Sequence, residues 1–171
     1  MTLNDLYLVS QIIAGLAVIA TLAALILSIR QNTRIQRAAA VQSLTEAITA
    51  LNIPAIESSS LGEALAAVGR DWWSAKREQR VTAHYFLFSY FKLVEQAWYQ
   101  NRSGVLEDSQ WDGWSRVVTT FYHSPGIRDC WWPHRRLAYS APFCEFIESS
   151  PKAEAVGDLG DIFGPHEEHA P

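Results

Sequence analysis

The side chains best suited to chemistry are concentrated in residues 121–139, which read FYHSPGIRDCWWPHRRLAY. Arginines beside adjacent tryptophans can bind an anion or stack on a planar ligand. The candidate ligand or anion region consists of Arg128, Trp131, Trp132, His134, Arg135 and Arg136. The alternative, which we favour, is that the tryptophans fill a core between short helices, while the arginines pair with acids or lie at a membrane surface.

A metal site is the next possibility, because cysteines and histidines occur in the same part of the chain. Cys130 and His134 are four residues apart, and His123 and Cys144 would complete a set of four ligands. Pro133 interrupts the helical turn between the first two, and zinc sites usually have more regular spacing. We therefore expect neither a metal ion nor a cofactor.

Motifs that specify catalysis are missing from the sequence. It contains no P-loop, no G-x-S-x-G elbow, no G-x-G-x-x-G and no H-E-x-x-H motif. Lys92 and Glu95 are three residues apart on a predicted helix, a spacing that favours an ion pair over an acid–base couple. No catalytic residue is therefore predicted, and the protein is expected not to be an enzyme.

The helical domain that positions these side chains follows an uncharged anchor. The anchor is residues 6–29, LYLVSQIIAGLAVIATLAALILSI. A helix of this length rises roughly 36 Å, enough to cross a bilayer. A signal peptide is less consistent with the sequence, because no Lys or Arg precedes the run and no A-x-A site follows it. A buried core helix is also less consistent with so long an uncharged run. We predict a retained transmembrane helix.

Basic residues follow this span on one side only. Arg30, Arg34 and Arg37 lie within eight residues of its end, where they can contact lipid headgroups. The positive-inside rule then predicts an N-terminus outside and a main domain in the cytoplasm. In that reducing compartment the two cysteines are expected to be free thiols.

Small residues recur along the span at spacings of four and three, which puts them on one face of a helix. Such a seam allows another transmembrane helix to approach closely. We expect association with a second copy or with a larger membrane protein, although Ala and Ser are common in such helices. The seam consists of Ser10, Ala14, Ala17, Thr21, Ala24 and Ser28.

The same spacing continues beyond the arginines through apolar positions. Val41, Leu44, Ile48 and Leu51 fall on the arginine face of a helix without Pro or Gly before Pro54. The simplest interpretation is one continuous helix whose inner stripe docks on the soluble domain. A coiled-coil neck in an oligomer is the alternative.

The rest of the chain reads as helices. Helices are predicted at about 60–68, 75–101, from 107 or 108 to 123, up to 132, and at 141–149, with a linker at 52–59. The predicted fold class is all-α: a transmembrane helix continuing into a small cytoplasmic bundle with a disordered acidic tail. The predicted divisions are an anchor at 1–29, a juxtamembrane helix at 30–52, a helical domain at 53–150 and a flexible tail at 151–171.

Several motifs carry a resemblance to a known group. They are IRQNTR at residues 29–34, EDSQWDGW at 107–114, SPGIRDCWW at 124–132 and APFCEFIE at 141–148. With the apolar span before them, they resemble uncharacterised small bacterial single-pass inner-membrane proteins over residues 6–150. The resemblance implies an inner-membrane location and a helical cytoplasmic domain. It implies no activity and no functional residue.

The charge of the chain argues against one class of partner. The net charge is −4 and no long basic run is present, so nucleic acid is not an expected partner. The expected partners are the lipid bilayer and another transmembrane helix. We predict a membrane-anchored accessory or interaction protein. The alternative is a membrane-tethered ligand-binding or sensor domain that uses residues 123–139.

Overall fold

The computed structural model describes residues 3–57 and 59–152, apart from a few side chains near the ends of the first helix. All of its regular elements are helical, and no strand occurs among these residues. The elements are α1 (Leu3–Glu57), α2 (Ser60–Arg70), α3 (Arg77–Arg102), α4 (Asp108–His123), a π-helical turn (Gly126–Trp131), α5 (Trp132–Arg135), a 3-10 turn (Arg136–Ala138) and α6 (Ala141–Ser149). The predicted all-α fold is confirmed. Apart from its first two residues, the predicted tail 151–171 lies outside the described residues.

The chain separates into two compact units, residues 1–39 and residues 40–171. The described part of the first, the N-terminal unit, belongs entirely to α1. The second, the helical unit, begins within the predicted juxtamembrane helix 30–52. Its start coincides with the point at which side chains of α1 become buried: Ala40 and Val41 are half-buried and Leu44 is 2% exposed.

The core of the helical unit is built around α3. Helix α3 contains no Pro or Gly in its 26 residues, and Gly104, with a φ of 71°, follows its end. Leu87, Phe91 and Val94 on α3 are fully buried. Elements α2, α4, the π-helical turn and α6 surround them and contribute Val68, Val118, Ile127, Phe143 and Ile147, which are also fully buried. The tryptophan-containing helices thus enclose one apolar core.

The apolar stripe predicted at the end of α1 is packed within the helical unit. Leu44 contacts a cluster formed with Leu93, Ala97 and Leu106, and Ile48 packs against the same cluster. A linker was predicted at 52–59, but α1 continues to Glu57 with Pro54 inside it. Pro54 lies in the last turn and is exposed, so its missing N–H costs only one hydrogen bond, to a carbonyl that water can reach.

The segment after α4 is less regular than the predicted short helix, which Pro133 was expected to stop or kink. A π-helical turn occupies Gly126–Trp131, and Pro133 lies in the first turn of α5 rather than at a helix end. Gly126 is needed for close packing: a Cβ there would lie 1.9 Å from the Val68 carbonyl oxygen of α2.

Candidate functional site

The N-terminal unit presents an uncovered apolar surface. Nine of its large aliphatic side chains, all within residues 12–27, are between 51% and 64% exposed. They are Ile12, Ile13, Leu16, Val18, Ile19, Leu22, Leu25, Ile26 and Leu27. Helix α1 is long and apolar enough to cross a membrane, and none of its most apolar stretch is buried. Exposed apolar surfaces of this extent are typical of segments that contact a membrane or another protein.

The predicted small-residue seam lies on the same exposed helix. Ala14, Ala17, Thr21, Ala24 and Ser28 are exposed, whereas the side chain of Ser10 lies outside the described part of the chain. The Thr21 hydroxyl donates a hydrogen bond to the Ala17 carbonyl, at 2.8 Å. Because this hydroxyl already has an acceptor within its own helix, it needs no polar partner on another helix. What the seam offers a second helix is close approach of the two backbones.

The predicted headgroup-contacting residues Arg30, Arg34 and Arg37 are also exposed. Within residues 3–57 and 59–152, none of the three forms an ion pair. Their guanidinium groups remain available for an anion outside the protein, such as a lipid phosphate.

The predicted ligand or anion region of residues 123–139 does not form one site. Trp131 and Trp132 are each 2% exposed, and their rings lie 5.5 and 5.3 Å from the ring of Phe91. The Trp132 indole N–H donates to Glu148 on α6, at 2.9 Å. These tryptophans therefore fill the core and cannot stack on a ligand.

Two arginines of the region are bound by carboxylates. Arg136 donates two hydrogen bonds to Glu148, at 2.8 and 3.1 Å. Arg128 donates two to Asp129, at 2.7 and 3.0 Å. Bidentate pairing of this kind satisfies much of a guanidinium's donor capacity. His134 and Arg135 are exposed, and only Arg135 lines a pocket with other basic residues.

Lys92 and Glu95 form the predicted ion pair, at 2.9 Å. Glu95 accepts the Ser140 N–H at 2.6 Å, Lys92 donates to the Ala138 carbonyl, and the Lys92 ammonium lies 4.7 Å from the Tyr139 ring centre. Burial disfavours the Glu95 carboxylate, but hydrogen bonds from Lys92 and Ser140 outweigh it and hold the Glu95 pKa below its ordinary value. The pair therefore clamps the 3-10 turn to α3 as a structural contact.

The cysteines and histidines considered as metal ligands are not assembled. The Cys144 thiol donates to the Arg136 carbonyl at 3.3 Å, and the His123 Nε2–H donates to the Ser150 carbonyl at 2.9 Å. In the described parts of the chain, no group of three potential ligands could hold a metal ion. Burial and the charge of Glu148 raise the pKa of the Cys144 thiol, so this group is a poor nucleophile.

The helical unit contains two cavities of interest. One, of about 460 Å³, is an open apolar groove that includes Ile48, Phe86, Trp114 and Phe121 in its lining. The other, of about 300 Å³, is lined by Arg135 together with residues from the start of α3.

Sequence reasoning did not single out Arg77 and Arg80, which line this second cavity. Their spacing to His84, three and then four residues, puts all three on one helix face and was the available signal.

Comparison of the chain with protein-family models, with curated proteins and with solved structures found no match.

Proposed function

We propose that the protein is a membrane-anchored interaction protein, held by one transmembrane helix and associating through it with a second copy or a larger membrane complex. The observation that carries the proposal is the uncharged run 6–29 of α1, whose side chains over residues 11–29 are all exposed. Covering its nine half-exposed aliphatic side chains is worth on the order of 10 kcal/mol. A bilayer supplies that cover over the full length of the run.

The arginines that follow the span support one orientation of the chain in the membrane. Because Arg30, Arg34 and Arg37 follow the span and no basic residue precedes it, we propose that the helical unit is cytoplasmic. The motif resemblance favours a bacterial inner membrane. Protease added to spheroplasts that express the full chain should then leave the helical unit intact, while detergent lysis should expose it. Digestion of the helical unit before lysis would contradict the proposed orientation.

The seam supplies the proposed contact within the bilayer. Small side chains let two helix backbones approach, so a leucine introduced into the seam should separate them. We expect Ala24→Leu to weaken association by about tenfold or more, whereas Ala23→Leu, the same change outside the seam, should leave it unchanged. Native mass spectrometry of the full chain, gently extracted from membranes, measures the assembly.

Two results would contradict association through the seam. One is a wild-type chain that is strictly monomeric and carries no partner protein. The other is an equal effect of Ala24→Leu and Ala23→Leu, which would assign the loss to helix volume in general.

The alternative function, a ligand-binding or sensor domain that uses residues 123–139, has less support. Its two tryptophans are buried in the core, and two of its arginines are bound by Asp129 and Glu148. Neither finding favours a ligand site built on these two tryptophans and these two arginines.

A further inference from the structure

The cavity of about 300 Å³ lies within the helical unit, beside the first turns of α3 and the end of α5. Its lining includes three arginines, one histidine and two aromatic rings. They are Arg77, Arg80, Arg135, His84, Trp72 and Tyr85. These side chains come from three segments of the chain, which the fold brings to one place.

No carboxylate lines this cavity. Within the described residues, none of its three arginines forms an ion pair, in contrast to Arg128 and Arg136. Three arginines line this one cavity although the chain as a whole carries a net charge of −4. Like charges that share a cavity repel one another, and a bound anion relieves that repulsion.

Contacts outside the cavity hold two of its donors. The Arg80 guanidinium lies 5.5 Å from the ring centre of Trp73, a cation–π contact. The Trp131 indole N–H donates to His84 Nδ1 at 3.1 Å. An indole nitrogen can only donate, so neutral His84 carries its own hydrogen on Nε2. Partial burial and the charge of Arg135 lower the His84 pKa, which keeps this neutral form at physiological pH.

The donors exceed what a carboxylate can accept. Each arginine presents a planar set of N–H groups, and His84 adds a further N–H donor. A carboxylate has two oxygens, whereas a phosphate group has at least three that can accept these bonds and carries more charge. The half-buried Trp72 and the exposed Tyr85 add aromatic faces at the wall of the cavity.

We propose that Arg77, Arg80, Arg135 and His84 form a binding site for the phosphate group of a ligand. That group can belong to a soluble phosphorylated compound or to the headgroup of an anionic phospholipid. The chemistry of recognition is the same in both cases, and the experiment separates the two sources.

The test uses the full chain in nanodiscs of phosphatidylcholine, with thermal unfolding followed by tryptophan fluorescence. Inorganic phosphate and adenosine monophosphate are the soluble probes. At about ten times the Kd, a bound probe should raise Tm by about 3 to 5 °C. A second set of nanodiscs contains phosphatidylglycerol, and a rise seen only there assigns the site to a lipid headgroup.

Substitutions test whether either rise in Tm comes from binding in this cavity. Arg77→Gln and Arg135→Gln should each weaken binding by about 10- to 100-fold, because each removes hydrogen bonds to a charged group. Arg116→Gln removes the same charge from an exposed position on α4 outside the cavity and should bind as the wild type does. The proposal is overturned if no probe and no anionic lipid changes Tm. It is also overturned if Arg116→Gln weakens binding as much as Arg77→Gln.

Discussion

Replacement of Gly126 by alanine tests how closely the π-helical turn packs on α2. The added Cβ would lie 1.9 Å from the Val68 carbonyl oxygen and 2.9 Å from the Trp72 backbone nitrogen, where ordinary contacts begin at 3.4 Å. The two backbones must therefore separate by about 1.5 Å. Both obstructing atoms belong to the main chain, so no rotamer change can relieve the contact.

Overpacking of a core typically costs about 1 to 3 kcal/mol, and a backbone obstruction belongs at the upper end. We expect Gly126→Ala to lower the free energy of unfolding by about 3 kcal/mol, which corresponds to a fall in Tm of about 6 to 12 °C. Gly113→Ala is the matched control, because nothing lies within 4 Å of a Cβ at that position in α4. It should raise stability by roughly 0.5 to 1 kcal/mol, through loss of the backbone freedom of glycine.

Tryptophan fluorescence during urea unfolding is a suitable assay. All seven tryptophans lie between residues 72 and 132, so the signal reports on the helical unit alone. The full chain in nanodiscs keeps the N-terminal unit in lipid throughout. A Gly126→Ala protein within about 1 kcal/mol of the wild type would refute the close approach of the two backbones, and so would equal losses in the two alanine variants.

Two further predictions concern charged contacts and use the same assay. Lys92→Met should lower the free energy of unfolding by about 1 to 2 kcal/mol at neutral pH, a value discounted for the partial exposure of Lys92. Because the folded-state pKa of Glu95 lies below its ordinary value of 4.5, this loss should shrink as pH falls below 4.5; an unchanged loss at low pH would contradict the ion pair. His84 has a folded-state pKa below its ordinary value of 6.5, so stability should fall as pH decreases below 6.5, when the unfolded chain binds the proton more readily. His84→Gln should remove this component, and an identical pH profile for that variant would contradict it.

Local signals account for the parts of the fold that were predicted well. The bounds of α3 follow from a run without Pro or Gly that ends before Ser103 and Gly104, and the predicted range 75–101 is close to Arg77–Arg102. The apolar span is defined by composition alone. The inner stripe of α1 was predictable because its spacing of four and three continues without interruption, and Leu44 is buried as that spacing requires.

The π-helical turn and the basic cavity depend on tertiary packing, which local sequence patterns do not indicate. The π-helical turn depends on the fit of Gly126 against α2, which no local pattern encodes. Sequence reasoning expected the arginines to pair with acids or to lie at a membrane surface. It could not distinguish Arg136, which pairs with Glu148, from Arg135, which lines the basic cavity. That cavity joins residues more than fifty positions apart, so its arginines could be grouped only once the chain was folded.

The π-helical turn has a consequence for comparing this chain with related sequences. Its hydrogen bonds span one more residue than those of an α-helix, so it accommodates an inserted residue within one turn. Deletion of one residue between Gly126 and Trp131 would restore an α-helical turn in the same place and leave Trp131 able to donate to His84, its hydrogen-bond partner. A one-residue gap at this place in a relative would therefore not mark the loss of the contact that orients His84, provided that both residues are retained.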